Sequence, residues 1–200
     1  MGKTNDVILP GNFVKWKQFE NKVNIEKKIM YLTDEITEYE FDDVVGQYDI
    51  IKKYENQMTD EWKKKNFTLI INSPGGDVYT MFALIDFMNY IKEVYDEKVD
   101  IMVFGKAMSA AAVIMACATG IRKATKHCSI MFHEMSSWEI GKSSDLKNKL
   151  DHIKELEEQA NQLVADASNK DVKWWAKNQS KDMFLTPLKA KELGVIDEII

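Results

Sequence analysis

The sequence predicts an α/β fold on three observations. Short β-rich runs alternate with segments whose apolar residues recur at every third or fourth position, as expected of strands followed by amphipathic helices. The runs are punctuated by turn residues, among them Pro74-Gly75-Gly76, Gly105 and Gly194. No Gly-, Ser- or Pro-rich linker divides the chain, which carries only three prolines, so the alternation belongs to a single domain over residues 1–200. Strands separated by single helices imply right-handed βαβ crossovers.

Taken in order, residues 1–25 form an N-terminal segment loosely tied to the rest. The run KKIMYL (27–32) reads as a strand, and residues 37–56 as a helix with Phe41, Val44, Val45, Tyr48 and Ile51 at helical spacing. FTLIIN (67–72) is a strand that ends at SPGG. Residues 77–94 are helical, with Met81, Leu84, Ile85, Met88 and Ile91 along one face. VDIMVF (99–104) is a strand, Gly105 opens the turn into an alanine-rich helix, and Thr119-Gly120 ends it. HCSIMFH (127–133) is the next strand. Residues 143–168 make a long helix on the repeat Leu146, Leu150, Ile153, Leu156, Ala160, Leu163, Ala167. Thr186-Pro187 starts a further helix, because threonine caps and proline fits the first turn. Gly194 stops that helix before a terminal strand, VIDEII.

Composition narrows the function classes. The chain has 200 residues, 45% hydrophobic and 30% charged, enough to bury a core without staples. A net charge of −5 and the absence of a Lys/Arg cluster argue against nucleic acid and against an anionic membrane surface. The apolar run 107–118 is too short to span a bilayer. The opening MGKTNDVILP lacks the apolar stretch of a signal peptide, and Asp6 stands where myristoylation needs Ser or Thr. Cys117 and Cys128 make no disulfide framework, and with His127 and His133 they match no common zinc spacing. The expectation is a soluble protein of a reducing compartment, with neither metal nor cofactor.

Chemistry in an α/β fold gathers where strands end and helices begin. INSPGGDV (71–78) is one such junction, where adjacent glycines allow a sharp turn and leave an N–H open to a ligand; an ordinary turn explains the same residues. GKAMSAAAVIMACATG (105–120) is the second. Ser109 lies where the helix must start, beside the orphan N–H of Ala110 and the positive end of the dipole. A nucleophile on a strand–turn–helix elbow fits that placement, and so does an N-cap serine, which the segment alone favours. The third is His133 at the end of an apolar strand, a general base if it reaches the serine and a carboxylate orients it, otherwise a half-exposed strand end.

Five segments in order resemble the ClpP family of self-compartmentalising serine proteases: INSPGGDV, GKAMSAAA, SIMFHE, GKSSDLKNKL and KDMFLTPLKAKELGVID. The resemblance covers residues 28–200. It implies a ClpP/crotonase-like head of repeated β-α (superhelical ββα) units with a protruding handle helix at 143–168. It also implies a Ser109–His133–Asp182 triad and an oxyanion hole from the backbone N–H groups of Gly76 and Ala110. Extended polypeptide substrates would pair as an added strand along Gly75, Gly76, Asp77 and Val78, and along Glu134, Met135 and Ser136. The implied partners are further copies of the chain, in heptameric rings stacked as a tetradecamer, and an AAA+ unfoldase. The implied location is the cytoplasm of a bacterium or of a virus-infected cell, and no cofactor is implied. Met108, Ala111 and Glu134-Met135 depart from the family pattern, which has a small residue, a glycine and Gln-Pro there. A capsid-maturation protease of a virus, an inactive ring subunit and a crotonase-type acyl-CoA enzyme are the alternatives.

Overall fold

The computed structural model describes residues 22–135 and 143–200, with the side chains of 143–145 left aside. Strand β1 (Ile29–Ile36) leads into α1 (Glu40–Lys53), a 3₁₀ turn and the short α2 (Asp60–Lys63). Next come β2 (Phe67–Gly76), α3 (Val78–Tyr95), β3 (Val99–Met108) and α4 (Ala110–Ala116). The remainder is β4 (Arg122–Ala124), β5 (Ser129–Phe132), α5 (Ser143–Asp166), α6 (Val172–Asn178), β6 (Met183–Leu185), α7 (Pro187–Glu192) and β7 (Glu198–Ile199).

Among the described residues the strands form one seven-stranded sheet in the order β1-β2-β3-β4-β7, with β5 and β6 branching from β3. All pairings are parallel except β5–β6. The α/β class read from the sequence is therefore the class of the molecule. The branch arises because β3 is long enough to serve two neighbours on one edge. Ile101–Val103 pair with β4, and Lys106–Met108 pair with β5. Gly105 sits between the two halves at φ 70°, and a Cβ there would lie 2.7 Å from Asn72 Oδ1. Gly105 thus lets the strand change partners rather than ending it, so β3 runs on to Met108, past the turn expected from its sequence.

The predicted face of α3 is buried throughout, and that of α1 for the most part. In α3, Met81, Leu84, Ile85, Met88 and Ile91 are all buried, and Asp77 caps the first turn by accepting from Thr80 N–H at 2.7 Å. In α1, Gln47 joins Val44, Tyr48 and Ile51 inside. Its side-chain amide accepts from Tyr31 N–H and donates to Tyr31 C=O, so it satisfies backbone that β1, an edge strand, would otherwise leave open. Every residue of α4 is buried, packed on β2, β3 and α3.

Lys28 has no exposed surface; its ammonium donates to the carbonyls of Lys63 and Lys65 at the end of α2 and lies over the Trp62 and Phe67 rings. Lys28→Ala should therefore lower stability by about 2–4 kcal/mol, read from a denaturant midpoint, by orphaning two carbonyls and emptying a core position.

Candidate active site

Ser109 occupies a tight joint between β3 and α4. Its backbone has φ 54° and ψ −127°, a conformation strained for a residue with a Cβ, and it makes no side-chain cap bond. Its N–H donates to Met131 C=O at 2.8 Å, which pins the joint to β5, and its C=O accepts from Ala112 and Val113. The hydroxyl is thus free of the capping role that residues 105–120 suggested by themselves. It lies 2.7 Å from His133 Nε2.

His133 follows β5 directly. The antiparallel register of β5 and β6 pairs Ile130 with Leu185, Met131 with Phe184 and Phe132 with Met183. One more step along that register sets His133 opposite Asp182, whose Oδ1 is 3.7 Å from His133 Nδ1. That separation is longer than a hydrogen bond, and the Asp182 side chain is 61% exposed, so the contact is a screened electrostatic one. The loop past His133 is fixed by Glu134 N–H, which donates to Gln179 C=O at 2.8 Å. Trp175, fully buried, packs against Phe132 with ring centroids 5.0 Å apart and supports the strand beneath the histidine.

Two backbone segments border the same region. Ala110 opens α4, so its N–H has no carbonyl one turn back. Asp77 N–H is bonded to Ile36 C=O at 2.7 Å, which fastens the end of β2 to β1. Gly76, paired with Ile36 in that register, borders the same cleft as Ser109 and Ala110. The glycines allow the approach. A Cβ on Gly75 would lie 2.5 Å from Met108 C=O and 2.7 Å from Ser109 Cβ, and one on Gly76 would lie 2.0 Å from Ile36 C=O. The turn expected at SPGG is instead the end of β2 itself, still paired to β1 through Gly76.

A cleft of about 280 Å³ opens beside Ser109, His133, Gly76 and Ala110. Asp77, Val78 and Met135 also line it, whereas Gly75 and Glu134 of the expected substrate edge do not; Ser136 lies outside the described residues. Met108 is not among the lining residues, and Ala111 is fully buried in α4. The far wall is the C-terminal half of α5, through Ile153, Leu156, Glu157, Ala160, Asn161 and Val164. Glu157 was legible in the sequence only as one charge on an ordinary helix face. Burial first, and then the Glu134 carboxylate, push its carboxyl above the ordinary range, with the Met135 backbone pulling the other way.

Among the described residues no group of His, Cys, Asp and Glu could hold a metal ion. Burial pushes the Cys117 thiol up to about 12 and raises that of Cys128 as well, so neither is poised as a nucleophile. No helix among the described residues is long and apolar enough to cross a membrane. A hydroxyl bonded to an imidazole at the head of a cleft, next to the unpaired first N–H of α4, is an arrangement suited to acyl transfer.

Comparison with known proteins gives that α/β arrangement its family. The family described as Clp protease matches residues 15–200. The chain is 31% identical over 178 residues to the ATP-dependent Clp protease proteolytic subunit 1 of Tropheryma whipplei (strain Twist), covering 88% of this chain and 81% of that one. It matches the ATP-dependent Clp protease proteolytic subunit 2 of Tropheryma whipplei (strain TW08/27) to the same extent. The chain belongs to the Clp protease family.

Proposed function

We propose that the chain is a serine endopeptidase of the Clp type, hydrolysing extended or unfolded polypeptides within a ring assembly of its own copies. The observation that carries this reading is the 2.7 Å contact between Ser109 Oγ and His133 Nε2 at the mouth of the cleft. Ser109 Oγ attacks the peptide carbonyl while His133 Nε2 takes its proton, and the N–H groups of Gly76 and Ala110 receive the oxyanion. The protonated imidazole then donates to the leaving amine, and water repeats the sequence on the acyl-enzyme. Asp182 holds the Nδ1–H tautomer. Substrate backbone extends along Gly75–Val78 on one side and Glu134–Ser136 on the other, a mode that grips main chain.

The assembly reading is supported by α5. Every residue from Lys147 to His152 is exposed, including Leu150 at 52%. An isolated stretch of helix of that length is marginal in water, and a second copy packed against it would cover Leu150. Stacked heptameric rings, an unfoldase partner and a cytoplasmic location belong to the same proposal.

The test is hydrolysis of short fluorogenic peptides by the assembled protein, with native mass measurement of its subunit number. Turnover by a seven- or fourteen-subunit species supports the reading; a folded monomer without turnover overturns it. Because Asp182 is solvent-exposed and 3.7 Å from the ring, Asp182→Asn should cost only about 10–10²-fold in kcat, less than a buried triad aspartate does. Steady-state kinetics beside His133→Ala, expected to lose far more, checks that ranking.

A further inference from the structure

The polar side chains of the cleft are not explained by hydrolysis itself. Asn161 and Gln179 line it at 5% and 7% exposure, and among the described residues neither side-chain amide has a hydrogen-bond partner. Buried amides left unpaired are costly and uncommon, so their place beside Ser109 points to a ligand that completes them. Glu157 lies one helical turn before Asn161, on the same face of α5. It lines the same cleft as Ser109, His133 and Met135, which places its carboxyl beside the reacting centre. Among the described residues no cation pairs with Glu157, and the charged groups that act on it, Glu134 and Glu158, are both acidic. Around these polar groups the wall is apolar, with Met81, Val113 and Leu156 in line.

We propose that this cleft receives the side chain on the acyl side of the scissile bond and selects lysine or arginine there. The aliphatic stem lies along Met81, Val113 and Leu156. The cationic head meets the Glu157 carboxylate and donates to the carbonyl oxygens of Asn161 and Gln179, which supply the acceptors that a guanidinium or ammonium needs. A cation at this point also relieves the acidic field that Glu134 imposes on Glu157. The inference rests on the peptidase reading of Ser109.

The experiment compares peptides identical except for Lys, Arg, norleucine, Leu or Gln before the scissile bond, cleaved by the full-length assembly and by Glu157→Gln. Glutamine keeps the size and the acceptor oxygen of the side chain and removes only the charge. The expected result is a kcat/KM for Lys and Arg about ten-fold or more above norleucine, a ratio that falls to about one in Glu157→Gln. The wild-type ratio needs no variant to fold. Norleucine, Leu or Gln peptides cleaved as well as Lys by the wild type would overturn the inference alone, as would a ratio unchanged in Glu157→Gln. Failure to cleave any peptide, together with no fluorophosphonate adduct on Ser109, would overturn the peptidase reading and this inference with it.

Discussion

Replacing Ser109 with alanine is expected to lower peptide hydrolysis by about 10⁴–10⁶-fold, with the fold unchanged. The loss is large because no other group can replace Oγ. Of the other described serines, Ser73 is buried and spends its hydroxyl on Gly75 N–H, and Ser168 accepts from Trp175 Nε1. The fold should survive because the joint is held by main-chain bonds. Ser109 N–H still reaches Met131 C=O, and Ser109 C=O still accepts from Ala112 and Val113. Alanine carries the same Cβ and meets the same backbone strain at φ 54°. An unchanged melting temperature alongside the kinetic loss checks both halves of the prediction; turnover within ten-fold of wild type would remove Ser109 from the mechanism.

The second large effect is expected at a residue with no side chain. Gly75→Ala places a Cβ 2.5 Å from Met108 C=O, 2.7 Å from Ser109 Cβ and 3.0 Å from Ala110 N, in a backbone with φ 94°. Met108, Ser109 and Ala110 are fixed backbone rather than flexible side-chain ends, so the Ser109 joint and β2 must move apart. That movement spreads Gly76 and Ala110, the proposed oxyanion donors, and losing one such donor costs about 10²–10³ in kcat. A stability loss of about 1–3 kcal/mol accompanies it from the disallowed φ. Gly46 provides the control. It lies within α1 with nothing inside 4 Å of an added Cβ, so Gly46→Ala should leave turnover alone and raise stability by up to about 1 kcal/mol. Parallel melts and steady-state assays of the two variants distinguish a blocked site from a general cost of losing glycine.

The contrast between these glycines shows which features could be read from the sequence. Periodicity located α1, α3 and the long α5, because apolar residues repeat with the helix in each, although α5 buries only the part of its stripe around Leu156 and Ala160. It missed α2, β4, β6 and α6. The strands Arg122–Ala124 and Met183–Leu185 have three residues each, too few to alternate visibly, and their pairing is long-range. Helix α6 has seven residues and is set by Asp171, whose carboxylate caps Trp174 N–H at 2.7 Å. The strand β6 matters most, since its register brings Asp182 opposite His133, and only the family resemblance pointed to that residue in advance.

The site was legible in part for a similar reason. Ser109, His133 and the Gly-Gly turn all lie at ends of strongly apolar strands, where a polar residue stands out. The strain at Ser109 and the approach of Gly75 are properties of packed backbone and leave no compositional trace. Glu157 and Asn161 sit one turn apart beside the buried Leu156 and Ala160, but the sequence offered Glu157 only as a charge on the outer face and did not single out Asn161. That they line the cleft depends on how α5 packs against α4 and α6, which no local pattern encodes.

The central claim is that Ser109 is a hydroxyl activated by the folded site. It is tested most directly by treating the assembled protein with a fluorophosphonate and locating the adduct by peptide mass mapping. The prediction is a single adduct on Ser109 in the folded protein and none after denaturation, because activation requires His133 at hydrogen-bond distance. An adduct on a different serine, or no adduct on folded and assembled protein, would contradict it.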